Sequence, residues 1–581
     1  MKEQIYTFLQ RSRASKFANL YLALLFAFSL FVQCVLFNWF AFHSIMVSSL
    51  WKAPAHFWVF YLPKISISLL ISSFVFLFKR KYWVIYVSVL TNIWILAELV
   101  YFRSTRIFID AYSFLLLKNL RGFESSIGMY LDSSLLLLLI PTFVVIVAVV
   151  LFDNRRIHIP SFGVGFSIYL IINLVSCNMV GKIVGLETKF YYSHISLPLN
   201  WNRSFELVNN TSIIHAFAQN MKDLIYMPFD KPIELAEDDI DKIQPFICQN
   251  TENVQPSNPL IIILVESLET WAVRPEITPN LCRFLDTHKN ILWAKRTKSQ
   301  TKGGNSGDGQ MILNTGLLPV AQGAACNRFP TNTYPSLSDV YSSSMPQSSA
   351  MIQPGDLGIW NQYHMNHAYH IDTAFVNSYY CDLQIFNMLD SIKDMYSYIL
   401  AITISTHSPF TSANHYASAG LPQEMPTMMK DYLNSMHYTD SCWGNFLTEI
   451  DRDSTLRNST ICFIGDHIIF NEEQREEFQT YCSTNTTDYH PEEAYTTFIA
   501  YSQNISQKTV IEEVTYQIDA YPTILSLIHC EKYYWKGFGV NLLDSTARKQ
   551  RIITEQEAYN LSDKMIRANY FHTLRHTIKK L

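Results

Sequence analysis

The chain has 581 residues, 49% of them hydrophobic and only 16% charged, against roughly 25% charged in an average soluble protein. Such a length is too great for one domain, and the missing charge is concentrated before residue 182. A net charge of −4 gives no electrostatic handle on a polyanion, so nucleic acid is not expected as a partner.

From Phe17 to Trp51 there is no Asp, Glu, Lys or Arg. That run is longer than the roughly 7–15 apolar residues of a signal-peptide core, and no small-residue cleavage site follows it. It predicts a first membrane span over residues 19–42, and four more follow at 57–78, 82–102, 133–152 and 161–181. Each is close to the roughly 20 residues a helix needs to cross the hydrocarbon. Lys64 and Glu98 lie near span ends, where they are expected to snorkel toward the interface.

Basic residues set the expected orientation. Lys2, Arg11, Arg13, Lys16, Lys79, Arg80, Lys81, Arg155 and Arg156 all fall on one side, which the positive-inside rule makes cytoplasmic. The opposing loop carries Arg103, Arg106, Lys118 and Arg121, so the bias is modest. Residues 1–181 are therefore expected to form a five-span transmembrane domain of a multi-pass cytoplasmic (inner) membrane protein. Its N-terminus is cytoplasmic and everything after Gly181 is extracytoplasmic, or periplasmic. Residues 182–256, with Trp201, Phe205, Phe217 and Met221 among polar residues, predict an interfacial helical connector or an ordinary packing helix.

From Pro259 the pattern changes to short apolar runs separated by turn-rich stretches. Strands are expected at 260–265, 350–353, 373–376, 398–404, 460–464 and 497–501, with helices at 435–450 and 520–528 among others. Alternating strand and helix predicts an α/β domain over 257–545 with a largely parallel central sheet, followed by a helical, basic tail at 546–581. Of the ten cysteines none forms a CxxC pair. An oxidising compartment permits disulfides among them, whereas Cys462, inside an apolar strand, fits a buried thiol equally well.

In such sheets ligands gather beyond the carboxyl ends of the strands. The first predicted strand ends in Glu266, the fourth leads to His407, and the fifth ends in Asp466 and His467. Taken singly, each is a common structural residue. Delivered together to one sheet edge, two carboxylates and an imidazole suit a divalent cation. Ser306 follows two glycines at an expected helix start, where a nearby cation and the helix dipole both favour its alkoxide. Serine is also a common helix N-cap, a role that involves no attack. Asn305 and Asp308 flank it and either orient it or serve loop-turn chemistry, the commoner role of such residues; His490 reads as a surface residue.

These stretches (LVESLE, ITPNL, GGNSGDGQ, TISTHSPF, FIGDH, VTYQIDAYPTIL and GFGVNLL) resemble the sulfatase-fold branch of the alkaline phosphatase superfamily. With the membrane half, the chain is most similar to the lipoteichoic acid synthase and phosphoglycerol transferase family, near neighbours of the phosphoethanolamine transferases. The resemblance implies an α/β sulfatase-like domain behind a membrane domain, and one divalent metal, Mn2+, Mg2+ or Zn2+, held by Glu266, Ser306, Asp466 and His467. It implies Ser306 as nucleophile on a phospholipid phosphodiester, His407 as phosphate-binding and proton-transferring residue, and Trp360, with Asn305, beside the head group. The partners implied are a membrane phospholipid donor, a glycan or lipid acceptor, and the bilayer. Two departures qualify the likeness. Gln362 stands where polymerising synthases carry an arginine, which removes a bidentate phosphate clamp. Gly307, Asp308, Gly309 and Gln310 after Ser306 lack the signature by which sulfatases mature a formylglycine. The competing expectations are a hydrolase using water as acceptor and a non-catalytic envelope protein that keeps the fold.

Overall fold

The computed structural model describes, in the front half, four helices and a few short stretches. From residue 233 it describes the chain to residue 578, except 249–253, 343–347, 378–380 and 411–417. The chain divides into two compact units, residues 1–111 with 127–230, and residues 112–126 with 231–581.

In the first unit the four helices are α1 (Ala18–Ala41), α2 (Pro54–Val75), α3 (Tyr82–Thr105) and α4 (Ser134–Leu151). Among the described residues two, Tyr21–Ala41 and Tyr82–Arg103, are long and apolar enough to cross a membrane; Lys64–Ser73 and Leu135–Leu151 are shorter apolar helices. The expected fifth span at 161–181 and the connector up to residue 232, including Trp201, Phe205, Phe217 and Met221, lie almost wholly outside the described residues. Cys34, Phe37, Ile95, Leu99 and Leu138 interlock the helices as one apolar cluster. Polar side chains tie them as well: Asn92 donates to the Leu138 carbonyl at 2.6 Å and Gln33 to Thr142 Oγ1 at 2.7 Å. The expectation for Lys64 and Glu98 needs correcting. Both are fully buried, and Glu98 accepts the Ile109 N–H at 2.9 Å instead of reaching the interface.

The second unit is built on an eight-stranded sheet in the order β4-β3-β5-β1-β6-β7-β2-β8. The strands are β1 (Leu260–Val265), β2 (Ile291–Lys298), β3 (Ser349–Pro354), β4 (Thr373–Asn377), β5 (Tyr398–Ile402), β6 (Thr460–Gly465), β7 (Thr496–Tyr501) and β8 (Thr509–Tyr516). All six expected strands are present. The sheet is mixed, because β7 runs antiparallel to both β6 and β2 while the other pairings are parallel. The two strands that pattern reading missed lie together at one edge. There β8 exposes Glu512 and Glu513, and Lys295 of β2 pairs with Glu512 at 2.7 Å, so neither strand reads as a continuous apolar run.

Central β1 (LIIILV) is buried on both faces. Leu260, Ile262 and Leu264 pack with Met311 and Ile312 of helix α5 (Asn305–Thr315). Behind β6, Phe463 meets Trp443 of helix α6 (Thr427–Glu449), ring centroids 5.3 Å apart. Register aligns Val265 of β1 with Gly465 of β6, so the residues that follow emerge side by side. Helix α7 (Glu555–Arg567), inside the expected tail, buries Leu561, Met565 and Ile566 in the same core as α5. It also brackets the α5 segment. Tyr559 donates to the Gln300 carbonyl at 2.6 Å ahead of α5, and the Leu318 and Ala321 N–H groups beyond it donate to Ser562 and Asp563 at 2.9 Å each.

Candidate metal centre and nucleophile

Glu266 and Asp466 directly follow β1 and β6, and are 3% and 1% exposed. Backbone ties fix both. The Asp466 N–H donates to the Val265 carbonyl at 3.1 Å, and the Glu266 N–H donates to Thr403 Oγ1 at 2.9 Å. Ser267, held in a left-handed conformation at φ 51°, links the two carboxylates: its N–H donates to Asp466 Oδ1 at 2.8 Å and its hydroxyl to Glu266 Oε1 at 2.7 Å. His467 turns back over them, with Nε2 3.5 Å from Glu266 Oε1 and 3.5 Å from Asp466 Oδ2. One donor atom from each of Glu266, Asp466 and His467 lies within 4.8 Å of the others.

Two features fit this set to a cation. Asp466 Oδ2 is buried with no hydrogen-bond partner, which a buried carboxylate oxygen does not sustain cheaply. His467 Nδ1 lies 3.0 Å from the Ile468 carbonyl, which can only accept, so the neutral ring keeps its lone pair on Nε2, facing the carboxylates. Electrostatics agree. Burial, and then the neighbouring Glu266 carboxylate, push Asp466 up to about 7. Burial alone would depress His467, but Asp466 and Glu266 lift it above its ordinary value. A positive charge is what this cluster calls for.

Ser306 is half-buried at the second position of α5, and Gly304 occupies the N-cap. The capping alternative for Ser306 is thereby removed. Its Oγ faces Glu266 Oε2 at 3.4 Å. Three neighbours set that placement. Asp308 Oδ2 accepts the N–H groups of Lys302 and Gly304 at 2.9 and 3.0 Å, closing the loop ahead of the helix; burial pushes this carboxyl up to about 6. A Cβ on Gly309 would lie 2.8 Å from the Asp466 carbonyl oxygen, so only glycine lets α5 rest against β6. A Cβ on Gly307 would lie 3.1 Å from the Trp360 indole, which puts that ring beside the nucleophile. Asn305 opens the helix at φ 40°.

His407 lies beyond β5, which ends at Ile402, two residues short of expectation. Its Nδ1 is 2.7 Å from the Ser408 carbonyl, again putting the proton on Nδ1. Burial and the charge of His467 lower its pKa, so the ring is held neutral. Buried Asp382 holds the approach to it, accepting the Ile404 and Ser405 N–H groups at 2.7 and 3.0 Å. Gln362 is buried and donates to Asn366 at 2.7 Å, and His490 is exposed beside Glu492. Sequence reading gave no role to Thr403, Ser267, Asp382 or Gln517. Gln517 Nε2 donates to the Gly465 and Asp466 carbonyls at 2.9 and 2.7 Å. Ser267, Thr403 and Gln517 lie inside the stretches LVESLE, TISTHSPF and VTYQIDAYPTIL, and Asp382 lies outside all of those quoted.

A family model described as Sulfatase matches residues 329–530, a stretch that holds His407, Asp466 and His467. Lipoteichoic acid synthase of Staphylococcus saprophyticus subsp. saprophyticus is 22% identical over 304 residues, covering 49% of this chain and 47% of that protein. Lipoteichoic acid synthase 1 of Bacillus subtilis is 22% identical over 306 residues, with the same coverage of 49% and 47%. The chain thus spans about half the length of the curated relatives it matches. Among solved structures, the integral membrane protein lipooligosaccharide phosphoethanolamine transferase A of Neisseria meningitidis aligns with a TM-score of 0.52 at 12% identity. That alignment covers 87% of this chain and 95% of that one, a likeness of fold. Residues 329–530, within the second unit, are thus similar to a sulfatase domain. Over about half its length the chain is similar to lipoteichoic acid synthases, and its fold is like that of the phosphoethanolamine transferase.

Proposed function

We propose that the protein is a metal-dependent transferase that moves a phosphoglycerol or phosphoethanolamine head group from a membrane phospholipid to an envelope glycan or lipid, by way of a phosphodiester on Ser306. The observation that carries this reading is Ser306 Oγ lying 3.4 Å from Glu266 Oε2, beside a buried Asp466 oxygen that accepts no hydrogen bond. Glu266, Asp466, His467 and Ser306 would hold a divalent cation, which when bound would lower the serine hydroxyl's pKa and offset phosphoryl charge.

The chain's own residues do the rest. Ser306 Oγ forms a bond to phosphorus as the bond from phosphorus to the diacylglycerol oxygen breaks, and the serine proton ends on that departing oxygen. His407, neutral with its lone pair on Nε2, carries this proton. An acceptor hydroxyl then gives up its own proton and displaces Ser306, which regains one. The Trp360 ring stacks beside the head group, and Asp308 and Gly309 keep α5 seated. Two in-line displacements predict retention at phosphorus. The four apolar helices suit a five-span membrane domain at 1–181 that keeps a lipid donor within reach of an extracytoplasmic catalytic domain at 257–545.

The test is to incubate the purified protein with phosphatidylglycerol or phosphatidylethanolamine labelled at phosphorus. Label trapped on Ser306, absent from Ser306→Ala and chased onto an added glycan or lipid, is the expected result. Label appearing only as free water-soluble head group turns the reading to hydrolysis, and no label on the enzyme overturns the covalent route.

A further inference from the structure

The peptide between Ile468 and Ile469 does two jobs at once. Its carbonyl end accepts the Nδ1 proton of His467 at 3.0 Å, and its amide end, the Ile469 N–H, donates to Glu269 Oε1 at 2.9 Å. A peptide group is rigid and polarisable, so what binds its N–H bears on its carbonyl. Glu269 is fully buried. Its charge is balanced by Arg475, whose Nη2 lies 2.7 Å from the same Oε1, while Arg475 also donates to the Phe470 and Pro491 carbonyls. Trp271 Nε1 occupies Oε2 at 2.7 Å, so Glu269 is spoken for on both oxygens and is not itself a metal ligand. Glu269 also sits three residues after Glu266, on the loop that leaves β1. It thereby joins the loops that carry the two halves of the candidate metal centre.

We infer that Glu269 is a positioning residue for the metal centre. Through the 468–469 peptide its carboxylate polarises the carbonyl that keeps the His467 proton on Nδ1, and so strengthens Nε2 as a donor to the cation. The inference rests on the metal-binding reading above. It separates charge from shape. A neutral amide at 269 would still accept the Ile469 N–H, yet would polarise the peptide less.

The experiment is titration of the full chain in detergent with Mn2+, followed by electron paramagnetic resonance of free Mn2+, with Co2+ absorption reporting the ligand field. Glu269→Gln is expected to keep the metal-free melting temperature near that of the parent, weaken Mn2+ binding about tenfold, and shift the visible Co2+ bands. The double variant Glu269→Gln with Arg475→Gln leaves no buried charge unpaired and is expected to show the same loss. Trp271→Phe, which removes a different donor to Glu269, is expected to bind as the parent does. A folded Glu269→Gln protein with parental affinity and Co2+ spectrum overturns the inference, as does an equal loss in Trp271→Phe. Failure of both Glu269 variants to fold overturns it too, because the carboxylate would then be holding the fold and not tuning a histidine. If the parent itself binds no Mn2+, the metal-centre reading fails first.

Discussion

The candidate site joins two kinds of backbone. Glu266, Asp466 and His467 stand on strand ends whose register, Val265 against Gly465, is fixed by a buried parallel sheet. Ser306 and Trp360 stand on segments that depart from regular structure, with Asn305, Trp360 and Asn361 at φ 40°, 50° and 53°. Left-handed non-glycine residues cost on the order of 1–3 kcal/mol each and persist only where surroundings impose them. The contrast is instructive. On the proposed reading, the candidate ligands follow from sheet pairing with left-handed Ser267 linking the two carboxylates, whereas the Ser306 hydroxyl needs its own scaffold, made by Asp308, Gly309 and α7.

That difference can be broken from either side. Ser306→Ala should have the largest effect, lowering transfer by about a thousandfold or more while the carboxylates and His467 still take up Mn2+; labelled-lipid turnover and metal titration together report this. His467→Ala should do the reverse. It should remove most Mn2+ affinity, and added Mn2+ should no longer restore activity after chelation, as it should in the parent protein. Gly309→Ala drives a methyl group toward the Asp466 carbonyl and should cost roughly 1–3 kcal/mol by thermal or denaturant unfolding. Transfer should fall with it, but Mn2+ uptake by the strand-end residues should stay within about tenfold.

The smallest effect concerns the His407 approach. Burial raises Asp382 above its ordinary 3.8. The native state therefore binds a proton that the unfolded chain has already released, and stability falls as pH rises from 3.8 through the folded value. Asp382→Asn should flatten that slope of melting temperature with pH. It should leave metal binding unchanged, because the residue touches the His407 segment and none of the cation's donors.

Much of this was legible in the chain because it follows from strand ends. Apolar runs ending in Glu266 and in Asp466-His467 declare both a buried strand and what it delivers. Edge strand β8 and its neighbour β2 were not legible, because Lys295, Glu512 and Glu513 interrupt their pattern and the Lys295–Glu512 pairing appears only once the sheet is assembled. The residues that hold the ligands in place were equally hidden. Ser267, Thr403 and Gln517 act on groups brought near by register, and although each lies in a stretch that carries the resemblance, nothing local marks its role. Asp308 is the exception, since its role is loop-turn chemistry six residues wide.

Helix α7 carries a consequence for the order in which the molecule is completed. Tyr559 lies 259 residues downstream of Gln300, the carbonyl it secures, so the nucleophile's segment stays unbraced until nearly the whole second unit has been synthesised. On the proposed reading, the apolar front half is in the bilayer well before Ser306 finds its setting, so the part that holds the lipid is finished ahead of the part that attacks it.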